Sequence, residues 1–455
     1  MPKLKILHLT PHLNGGLGEI IYKQLCSNAV SSYCSHYVAL YEKSSSSYPD
    51  FLSQFAEFVF DVKLSAISSI IGDFDVVQVE YWNHPLVYKL LTSGLLDNHP
   101  LVGMCAHIQG NSPPQLIAYP ALKYLDFALC TGLWIQDICS TDNVLNEKIY
   151  PFRYTVDTNI FSPVSTPRSP SPKNSLALCY VGTVSYSKLS RQFFHILNAL
   201  SHEIDFSIVV VGDPHPEVLA DSSLAPRINI SFTGKVDNVV PYLHQADVFI
   251  YPLRRTHYGT GEIALLEAMS CGLPVVAFDN IAESGILASG ETGLLCSSEH
   301  QFVEAIVRFA NCPQDRIIFG RKARQSILAN NSFIKFVNYL DNFYQTIISK
   351  SSSLYVNSPF RSYSSPCLTS EALFLSLGAL CFLHSLQSLT QDFHDISGSM
   401  VNFFLNRATS DDYEQINSFF LRYPSYGYSS KGGLDHYLHV FPADHQLLRL
   451  KEFVE

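Results

Sequence analysis

The sequence predicts an α/β protein with two doubly wound parallel sheets, followed by a small, mainly helical C-terminal module. Short apolar runs alternate with helical segments up to about residue 348, which is typical of βαβ units. A Ser/Pro-rich break at 165–175 interrupts this alternation, and a Ser/Pro/Tyr-rich stretch at 351–366 ends it. The predicted parts are a first domain at 1–164, a linker at 165–175, a second domain at 176–349, a linker at 350–370 and the helical module at 371–455.

The first domain opens with a predicted strand at 4–9, a glycine turn and a helix from Glu19. Gly16 and Gly18 lie in that turn with the spacing Gly-Gly-x-Gly, which does not meet the Gly-x-Gly-x-x-Gly fingerprint of dinucleotide sites. Doubly wound domains bind ligands where their strands end, so the turn is predicted to face a ligand. The alternative is a tight turn that needs glycine for a positive φ.

Two side chains follow later strands of the same domain. His107 comes directly after a predicted strand at 101–106, in a polar turn where an imidazole can hydrogen-bond a substrate. The alternative for His107 is a purely structural histidine. Trp82 follows a strand at 74–79, where an aromatic ring can stack on a sugar or simply pack.

The second domain contains the most informative stretch, residues 251–296. A glycine-rich loop at 258–261 leads into an apolar helix that carries one acid, Glu267. Backbone N–H groups at a helix start attract phosphate, and a carboxylate accepts hydrogen bonds from a vicinal diol such as ribose. The stretch therefore predicts one half of a nucleotide site. The alternative is a routine αβ unit with a glycine-lined turn.

Composition limits the classes of partner. The chain has 455 residues, of which 47% are apolar and 15% charged, and its net charge of −10 argues against nucleic acid and against strong attraction to anionic lipid. Its 11 cysteines, without a Cys-x-x-Cys pattern, fit reduced thiols better than a disulfide frame or a zinc site. No signal peptide is visible, and no apolar run approaches the roughly 18 residues of a spanning helix. We therefore expect a cytoplasmic protein that is at most peripheral at the inner membrane face.

Seven segments, in family-like order and spacing, carry a resemblance to a known family. They are Gly15–Gly18, His107–Gly110, Val156–Pro163, Gly182 with Lys188, Phe232–Gly234, Ala246–Phe249 and Leu266–Pro274. Together they resemble the GT-B glycosyltransferases, and more narrowly the retaining family 4 (glycosyltransferase group 1). The resemblance covers residues 1 to about 348 and implies two Rossmann-like doubly wound domains facing a cleft.

The resemblance also implies roles for individual residues. His107 would lie beside the transferred sugar, Lys188 would meet the diphosphate, and Glu267 would hold the ribose diol. The implied catalytic residues are His107, Lys188 and Glu262. The implied nucleotide-sugar-binding residues are Gly16, Gly18, Gly182, Thr183, Gly234, Thr260, Gly261, Ile263 and Glu267, and no metal ligand is implied.

The chain departs from the family pattern at two positions. The first acid of the family's Glu-x7-Glu pattern falls on Gly259, and Glu262 replaces it only if the loop is rearranged. The family's arginine falls on Thr183. The candidate substitutes for that arginine are Arg191, Arg254 and Arg255. Both departures bear on activity and donor specificity, and neither bears on the fold.

The resemblance implies a hexosyltransferase that uses a nucleoside-diphosphate sugar, retains anomeric configuration and needs no metal or other cofactor. The acceptor would be a glycan, a glycolipid or another hydroxyl compound. Two alternatives stay open: a catalytically silent homologue that binds nucleotide or glycan as a scaffold, and a nucleotide-sugar epimerase. The module at 371–455 lies outside the resemblance, and we expect it to serve oligomerisation or partner binding. Its His436 and His439 are expected to be half-exposed rather than metal ligands, since known zinc patterns are not met.

Overall fold

The chain is described from a computed structural model. It covers residues 2–13, 16–42, 54–82, 84–99, 101–107, 125–131, 147–164, 175–222, 228–255, 257, 259, 261–354, 399–400, 402–404, 406–422 and 433–455. Thr260, residues 108–110, most of the two predicted linkers and residues 371–398 of the predicted module lie outside these ranges. The chain forms two compact units, one of Met1–Phe152 with Val337–Glu455 and the other of Arg153–Phe336.

The first unit is built on a parallel sheet of seven strands in the order β3-β2-β1-β4-β5-β6-β7. The strands are β1 Leu4–Thr10, β2 Cys34–Leu40, β3 Val59–Asp61, β4 Val76–Tyr81, β5 Val102–Ala106, β6 Phe127–Cys130 and β7 Ile149–Pro151. Helices α1 Gly16–Ser27, α2 Ile67–Ile70 and α3 Pro85–Thr92 connect them. The central strands are buried along their length, as expected for a parallel sheet covered on both faces.

The second unit repeats this strand order in a six-stranded parallel sheet, β10-β9-β8-β11-β12-β13. The strands are β8 Leu176–Val181, β9 Phe206–Val211, β10 Asn229–Phe232, β11 Val248–Tyr251, β12 Val275–Phe278 and β13 Gly293–Cys296. The helices are α4 Phe193–Leu200, α5 Pro216–Ser222, α6 Val240–Gln245, α7 Ile263–Ser270, α8 Ile281–Ser284, α9 Glu299–Asn311, α10 Pro313–Asn330 and α11 Phe333–Leu354, the last of which continues into the first unit. The predicted fold class of two doubly wound domains is therefore confirmed.

Some elements differ from the sequence prediction. Helix α10 was not predicted, because only Phe319, Gly320, Ala323 and Ile327 of its 18 residues are buried and its apolar pattern is weak. The short strands β3 and β7 were also not predicted, since each has three residues and only the first is buried. Their pairing with the longer strands β2 and β6 defines them.

The C-terminal helices α12 Ser410–Arg422, α13 Leu434–Val440 and α14 His445–Val454 pack onto the first sheet. Phe403, Ile416 and Tyr437 lie in one hydrophobic cluster with Leu7 and Val77 of the central strands. The helices of the C-terminal segment and the first sheet thus share a core. Among the helices that the structure describes, none combines the length and apolar character needed to cross a membrane.

Arg324 binds the backbone of the family-like segment Val156–Pro163. Its guanidinium donates hydrogen bonds to the carbonyl oxygens of Thr158 (2.8 Å), Phe161 (2.7 Å) and Ser270 (2.8 Å), and to the Ser270 hydroxyl (2.7 Å). The Ser270 hydroxyl in turn donates to the Phe161 carbonyl at 2.6 Å. These bonds tie residues 158–161 to the end of helix α7.

Arg324→Ala is expected to destabilise the second unit by about 3 kcal/mol, because several backbone acceptors lose a charged donor at once. Arg324→Lys is expected to recover little of the stability lost in Arg324→Ala, since an ammonium group does not reproduce the planar, forked arrangement of N–H donors in a guanidinium group. Arg321→Ala, at an exposed position of the same helix, is the matched control, with a change within about 0.5 kcal/mol. Urea unfolding measures all three, and equal midpoints for the alanine variants at 324 and 321 would contradict the assignment.

Candidate functional site

The candidate site of the second unit lies at the carboxyl ends of β8 and β11. These two strands are neighbours at the point where the strand order reverses, which is where doubly wound sheets bind ligands. The turn after β8 carries Gly182, Thr183 and Lys188, and the loop after β11 leads to Glu262 at the start of helix α7. The Arg254 N–H donates to the Lys188 carbonyl at 2.9 Å, which joins the two segments.

Three glycine turns lie side by side at the ends of β8, β9 and β10. Gly212 donates its N–H to the Gly234 carbonyl at 3.0 Å, and a Cβ at Gly212 would lie only 2.1 Å from the Gly182 carbonyl oxygen. Gly182 and Gly234 have φ values of 150° and 71°, which favour glycine. Thr183 is exposed beside them, and its carbonyl accepts a hydrogen bond from the Tyr180 hydroxyl at 2.8 Å. The backbone here can come close to a ligand. Gly212 was not predicted, although its place after a strand was a signal.

Lys188 and Glu262 form a buried ion pair. Lys188 Nζ lies 2.9 Å from Glu262 Oε2, and the Tyr251 hydroxyl donates a short hydrogen bond to the same oxygen. Burial alone would raise the pKa of Glu262, but the Lys188 ammonium group and the hydrogen bond from the Tyr251 hydroxyl lower it below its ordinary value. Glu262 is therefore a carboxylate in this site. Its other oxygen, Oε1, is buried and receives no hydrogen bond from the described residues.

The conformation of Glu262 brings its carboxylate next to Gly259. Glu262 has φ 34° and ψ 62°, a left-handed conformation that is rare for a residue other than glycine. A Cβ built on Gly259 would lie 1.7 Å from Glu262 Oε1. The carboxylate of Glu262 therefore occupies the space into which a side chain at 259 would project.

A second carboxylate, Glu283, fixes the loop before Glu262. His257 Nδ1 accepts the Gly259 N–H at 3.1 Å, so the neutral ring carries its proton on Nε2 and donates it to Glu283 Oε2, also at 3.1 Å. Asn280 donates to Glu283 Oε1 at 3.2 Å. Because His257 Nδ1 is an acceptor, it gives no proton to Glu262 Oε1, which lies 3.7 Å away. The sequence prediction did not include His257, Asn280 or Glu283.

The other predicted residues of this loop lie along helix α7. Ile263 is its first residue, and Glu267 is half-buried one turn later. Gly261 is buried, and a Cβ there would meet the Tyr154 ring at 1.7 Å, so only glycine fits. Burial, and secondarily the Glu267 carboxylate, raises the pKa of the Cys271 thiol to about 12. The thiol is therefore unreactive at neutral pH.

The three candidate substitutes for the family's arginine have different surroundings. Arg191 is exposed and donates to Glu217 at 3.0 Å. Arg255 donates to the Ser297 carbonyl at 3.0 Å. Arg254 is the candidate whose backbone is bonded to Lys188, and its guanidinium donates to the Tyr186 carbonyl at 3.2 Å in the turn after β8. Arg254 is thus placed best of the three.

In the first unit, Gly16 and Gly18 lie at the start of helix α1. Gly16 is exposed, whereas Gly18 is buried within the helix, and a Cβ there would meet the Leu13 carbonyl oxygen at 2.3 Å. Gly18 therefore serves a close backbone approach and not a positive φ. His107 follows β5 directly, its N–H donates to the Tyr81 carbonyl at 2.8 Å, and its Nε2 hydrogen-bonds Glu80.

Trp82 packs within the first unit. Its ring lies 4.9 Å from the His12 ring and 5.9 Å from the His436 ring, so the packing alternative describes it. His436 is buried, which corrects the expectation of a half-exposed side chain, because helix α13 turns it toward Trp82 and His84. His439, on the next turn of the helix, is exposed.

Two groups of described residues bring side chains of metal-binding type within 4.8 Å of one another. They are His12, Glu42 and His84, and Glu80, Cys105 and His107. His84 Nδ1 accepts the Leu86 N–H at 3.1 Å, so the neutral ring keeps its proton on Nε2, the atom that faces the group. In the second group, Glu80 accepts hydrogen bonds from His107 and His8. The Glu80 oxygens of the second group are thus already engaged in hydrogen bonds. Metal independence stays a prediction.

Comparison with known proteins identifies relatives of both the sequence and the fold. Residues 175–311 match the family described as Glycosyl transferases group 1. The chain is 25% identical over 152 residues to N-acetyl-alpha-D-glucosaminyl L-malate synthase of Bacillus anthracis, covering 32% of this chain and 39% of that protein. It is 28% identical over 122 residues to 2-deoxystreptamine N-acetyl-D-glucosaminyltransferase of Niallia circulans, covering 26% of this chain and 31% of that protein. The match thus spans less than half of each of these relatives.

Solved structures resemble the chain over most of its length. A glycosyltransferase from Rickettsia africae superimposes with a TM-score of 0.61 at 14% identity, covering 76% of this chain and 99% of that one. Anabaena Alr3699/HepE, solved in complex with UDP and glucose, gives a TM-score of 0.60 at 14% identity, covering 75% and 100%. At this identity the likeness shows the fold.

Proposed function

We propose that this chain, whose residues 175–311 form a glycosyl transferases group 1 domain within a GT-B fold, is a retaining glycosyltransferase. It moves a hexose-type sugar from a nucleoside-diphosphate sugar to a hydroxyl group of a glycan, glycolipid or other acceptor. The observation that carries the proposal is the buried Lys188–Glu262 pair, with one carboxylate oxygen unoccupied by donors of the described residues, at the switch point of the second sheet. The relatives' names, which describe glucosaminyl transfer, and the UDP complex of a structural neighbour support this proposal.

The proposed chemistry is the stabilisation of charge on a leaving diphosphate. As the glycosidic bond breaks, negative charge develops on the nucleoside diphosphate, and Lys188 and the backbone N–H groups of the glycine turns stabilise it. The acceptor hydroxyl attacks the anomeric carbon on the leaving-group face and passes its proton to the departing phosphate oxygen, so configuration is retained. These groups supply the positive charge in place of a metal. Glu262 holds Lys188 in position, and Glu262 Oε1 can accept a hydrogen bond from a hydroxyl group of the sugar.

Glu267 completes the proposed nucleotide site by accepting hydrogen bonds from the ribose diol. We place the reaction in the cytoplasm, with at most peripheral contact with the membrane. The eight cysteines that the structure resolves in detail are all free thiols, which suits a reducing compartment. The proposed acceptor is a glycan or a lipid-linked glycan.

Purified full-length protein is expected to release nucleoside diphosphate from at least one of UDP-glucose, UDP-N-acetylglucosamine and GDP-mannose, and to transfer the sugar to an added hydroxyl acceptor. Product release by coupled assay and mass spectrometry of the acceptor measure this. Nucleoside diphosphate binding without turnover of any donor would favour the silent homologue. Interconversion of sugar epimers with no transferred sugar would favour the epimerase. The observation that favours the silent homologue is the ion pair of Lys188 with Glu262, because a lysine whose charge is already balanced has less charge to offer a diphosphate.

Glu267→Ala is expected to weaken UDP binding by about 10-fold or more, the loss of a charge-assisted hydrogen bond worth about 1.5–3 kcal/mol. Lys188→Ala is expected to weaken UDP binding by a similar factor. This variant also leaves the buried Glu262 carboxylate without its cation, so the double variant Lys188→Ala/Glu262→Gln is measured as well, because it loses the phosphate contact without leaving an unpaired buried charge. Glu203→Ala, at an exposed position of the second unit, is the control. Calorimetry gives the dissociation constants, and unchanged affinity in both single variants would remove the site assignment.

A further inference from the structure

Four buried polar side chains of the second unit form a line that ends at Glu262. They are Asn280, Glu283, His257 and Glu262 itself. Asn280 Nδ2 lies 3.2 Å from Glu283 Oε1, and Glu283 Oε2 lies 3.1 Å from His257 Nε2. Buried polar groups normally have hydrogen-bond partners, so the order of donors and acceptors along this line determines what Glu262 can still bind.

The backbone of the loop fixes the proton of His257. The Gly259 N–H can only donate, and it lies 3.1 Å from His257 Nδ1, so Nδ1 accepts and the ring proton lies on Nε2. A second proton on Nδ1 would point at the Gly259 N–H. Glu283 Oε2 therefore accepts the one proton of the ring.

His257 Nδ1 also faces the carboxylate of Glu262. It lies 3.7 Å from Glu262 Oε1, the oxygen that is buried and accepts no hydrogen bond from the described residues. A carboxylate attracts a proton, so a ring with its proton on Nδ1 would donate to Oε1 after a small movement. Glu283 competes for the same proton from the opposite side of the ring, and it holds that proton away from Glu262.

We infer that Glu283 is a positioning residue that keeps the His257 proton on Nε2 and so leaves Glu262 Oε1 open to a hydroxyl group of the donor sugar. The inference rests on the proposed function for the identity of the ligand and not for the position of the proton. A buried carboxylate oxygen without a donor is costly, and a sugar hydroxyl supplies the missing donor. A nucleoside diphosphate without its sugar offers no such hydroxyl to Oε1.

The neighbouring Asn280 determines what Glu283→Gln would do. The Asn280 amide nitrogen lies 3.4 Å from the Leu253 carbonyl oxygen, which only accepts, so this nitrogen also faces Glu283 Oε1. A glutamine at 283 would place its oxygen there and turn its amide N–H groups toward His257. His257 Nε2 would then have to accept, which moves the ring proton to Nδ1 and closes Glu262 Oε1.

Nitrogen-15 NMR of protein labelled at histidine measures the position of the proton without any substrate. The His257 signals are assigned by their loss in His257→Asn. At pH 8 the wild type is expected to show the proton on Nε2 and Glu283→Gln to show it on Nδ1. Glu291→Gln, the same change at an exposed position of the second unit, is the matched control and is expected to match the wild type. The same tautomer in the wild type and Glu283→Gln overturns the inference, and an Nδ1 proton in the wild type overturns it whether or not the variant folds.

Turnover and nucleotide binding separate this role from a purely structural one. The donor is whichever of UDP-glucose, UDP-N-acetylglucosamine and GDP-mannose the wild type uses. Glu283→Gln is expected to lower kcat/KM for this donor by about 10-fold or more, the loss of one hydrogen bond to a charged group, and to change the dissociation constant of the nucleoside diphosphate by less than about 2-fold.

A general disturbance of the loop would weaken the nucleoside diphosphate together with the donor. Parallel losses of kcat/KM and of nucleotide affinity, or an unchanged kcat/KM, therefore contradict the inference. Glu291→Gln is expected to change neither quantity. If the wild type turns over no donor, the proposed function fails while the NMR result still decides the position of the proton.

Discussion

Glu262→Gly is expected to lower kcat for sugar transfer by about 10²–10³-fold, and the added substitution Gly259→Glu is expected to restore it to within about 10-fold of the wild type. A single preorganised polar group at a reacting centre is typically worth a loss of that size. Restoration is expected because the carboxylate of Glu262 fills the volume next to Gly259. A glutamate at 259 would deliver an equivalent carboxylate from the other side of the loop.

The backbone supports the exchange. Position 262 has a φ of 34°, which glycine adopts at no steric cost. Glu262→Gly therefore relieves local strain while it removes the acid. The double variant exchanges the two residue types, so composition and charge stay constant.

The control is Glu262→Gln, which keeps the shape of the side chain and removes the charge that Lys188 faces. It is expected to be as impaired as Glu262→Gly, and Gly259→Glu alone to be inactive through a clash with Glu262. Steady-state kinetics on the four variants, with circular dichroism to confirm folding, measures the effect. A double variant no more active than Glu262→Gly would show that the two positions do not exchange roles.

The sequence predicted the fold because the residue pattern of a βα unit lies within one short stretch of sequence. At β1, β8, β9 and β11, an apolar strand of four to seven residues is followed by a turn that contains glycine and then by a helix. The predicted GT-B fold is confirmed by the solved structures that resemble the chain. The match of residues 175–311 to glycosyl transferases group 1 agrees with the predicted resemblance, whose motifs are short stretches at strand ends. Lys188 and Glu262 were also predicted as site residues, and the structure brings them to 2.9 Å.

Other features depend on geometry that spacing does not contain. The space shared by Gly259 and Glu262 arises from one left-handed residue, and no pattern of residue types specifies that conformation. The place of the C-terminal helices on the first sheet depends on which apolar faces meet. The network around Glu80 did leave a signal: His8, Gln78 and Glu80 interrupt apolar central strands, and a polar residue there needs a buried partner.

The first unit is expected to lose stability in acid through Glu80. Burial alone would raise the pKa of Glu80, but the hydrogen bonds from His107 and His8 lower its folded-state value to about 2, below the ordinary value of about 4.5. A lowered folded-state pKa means that the stabilisation is fully present above pH 4.5 and is lost as the pH falls from there toward 2. A difference of this size corresponds to about 3 kcal/mol in the free energy of unfolding.

The matched comparison is wild type against Glu80→Gln, because glutamine has the same shape and does not titrate. Their difference in unfolding free energy is expected to shrink steadily from pH 5 to pH 2. Asp412 titrates in the same range, since hydrogen bonds from the Thr409 N–H and the Ser399 side chain lower its pKa to about 2. Its contribution is common to both proteins and cancels in the comparison.

Hydrogen exchange of peptides from β1 and β4 reports on this part of the molecule directly. Wild-type protection is expected to fall steeply between pH 4.5 and 2 after correction for the intrinsic exchange rate, whereas protection in Glu80→Gln starts lower and changes less. Parallel curves for the two proteins would mean that Glu80 is not a buried carboxylate in the folded state.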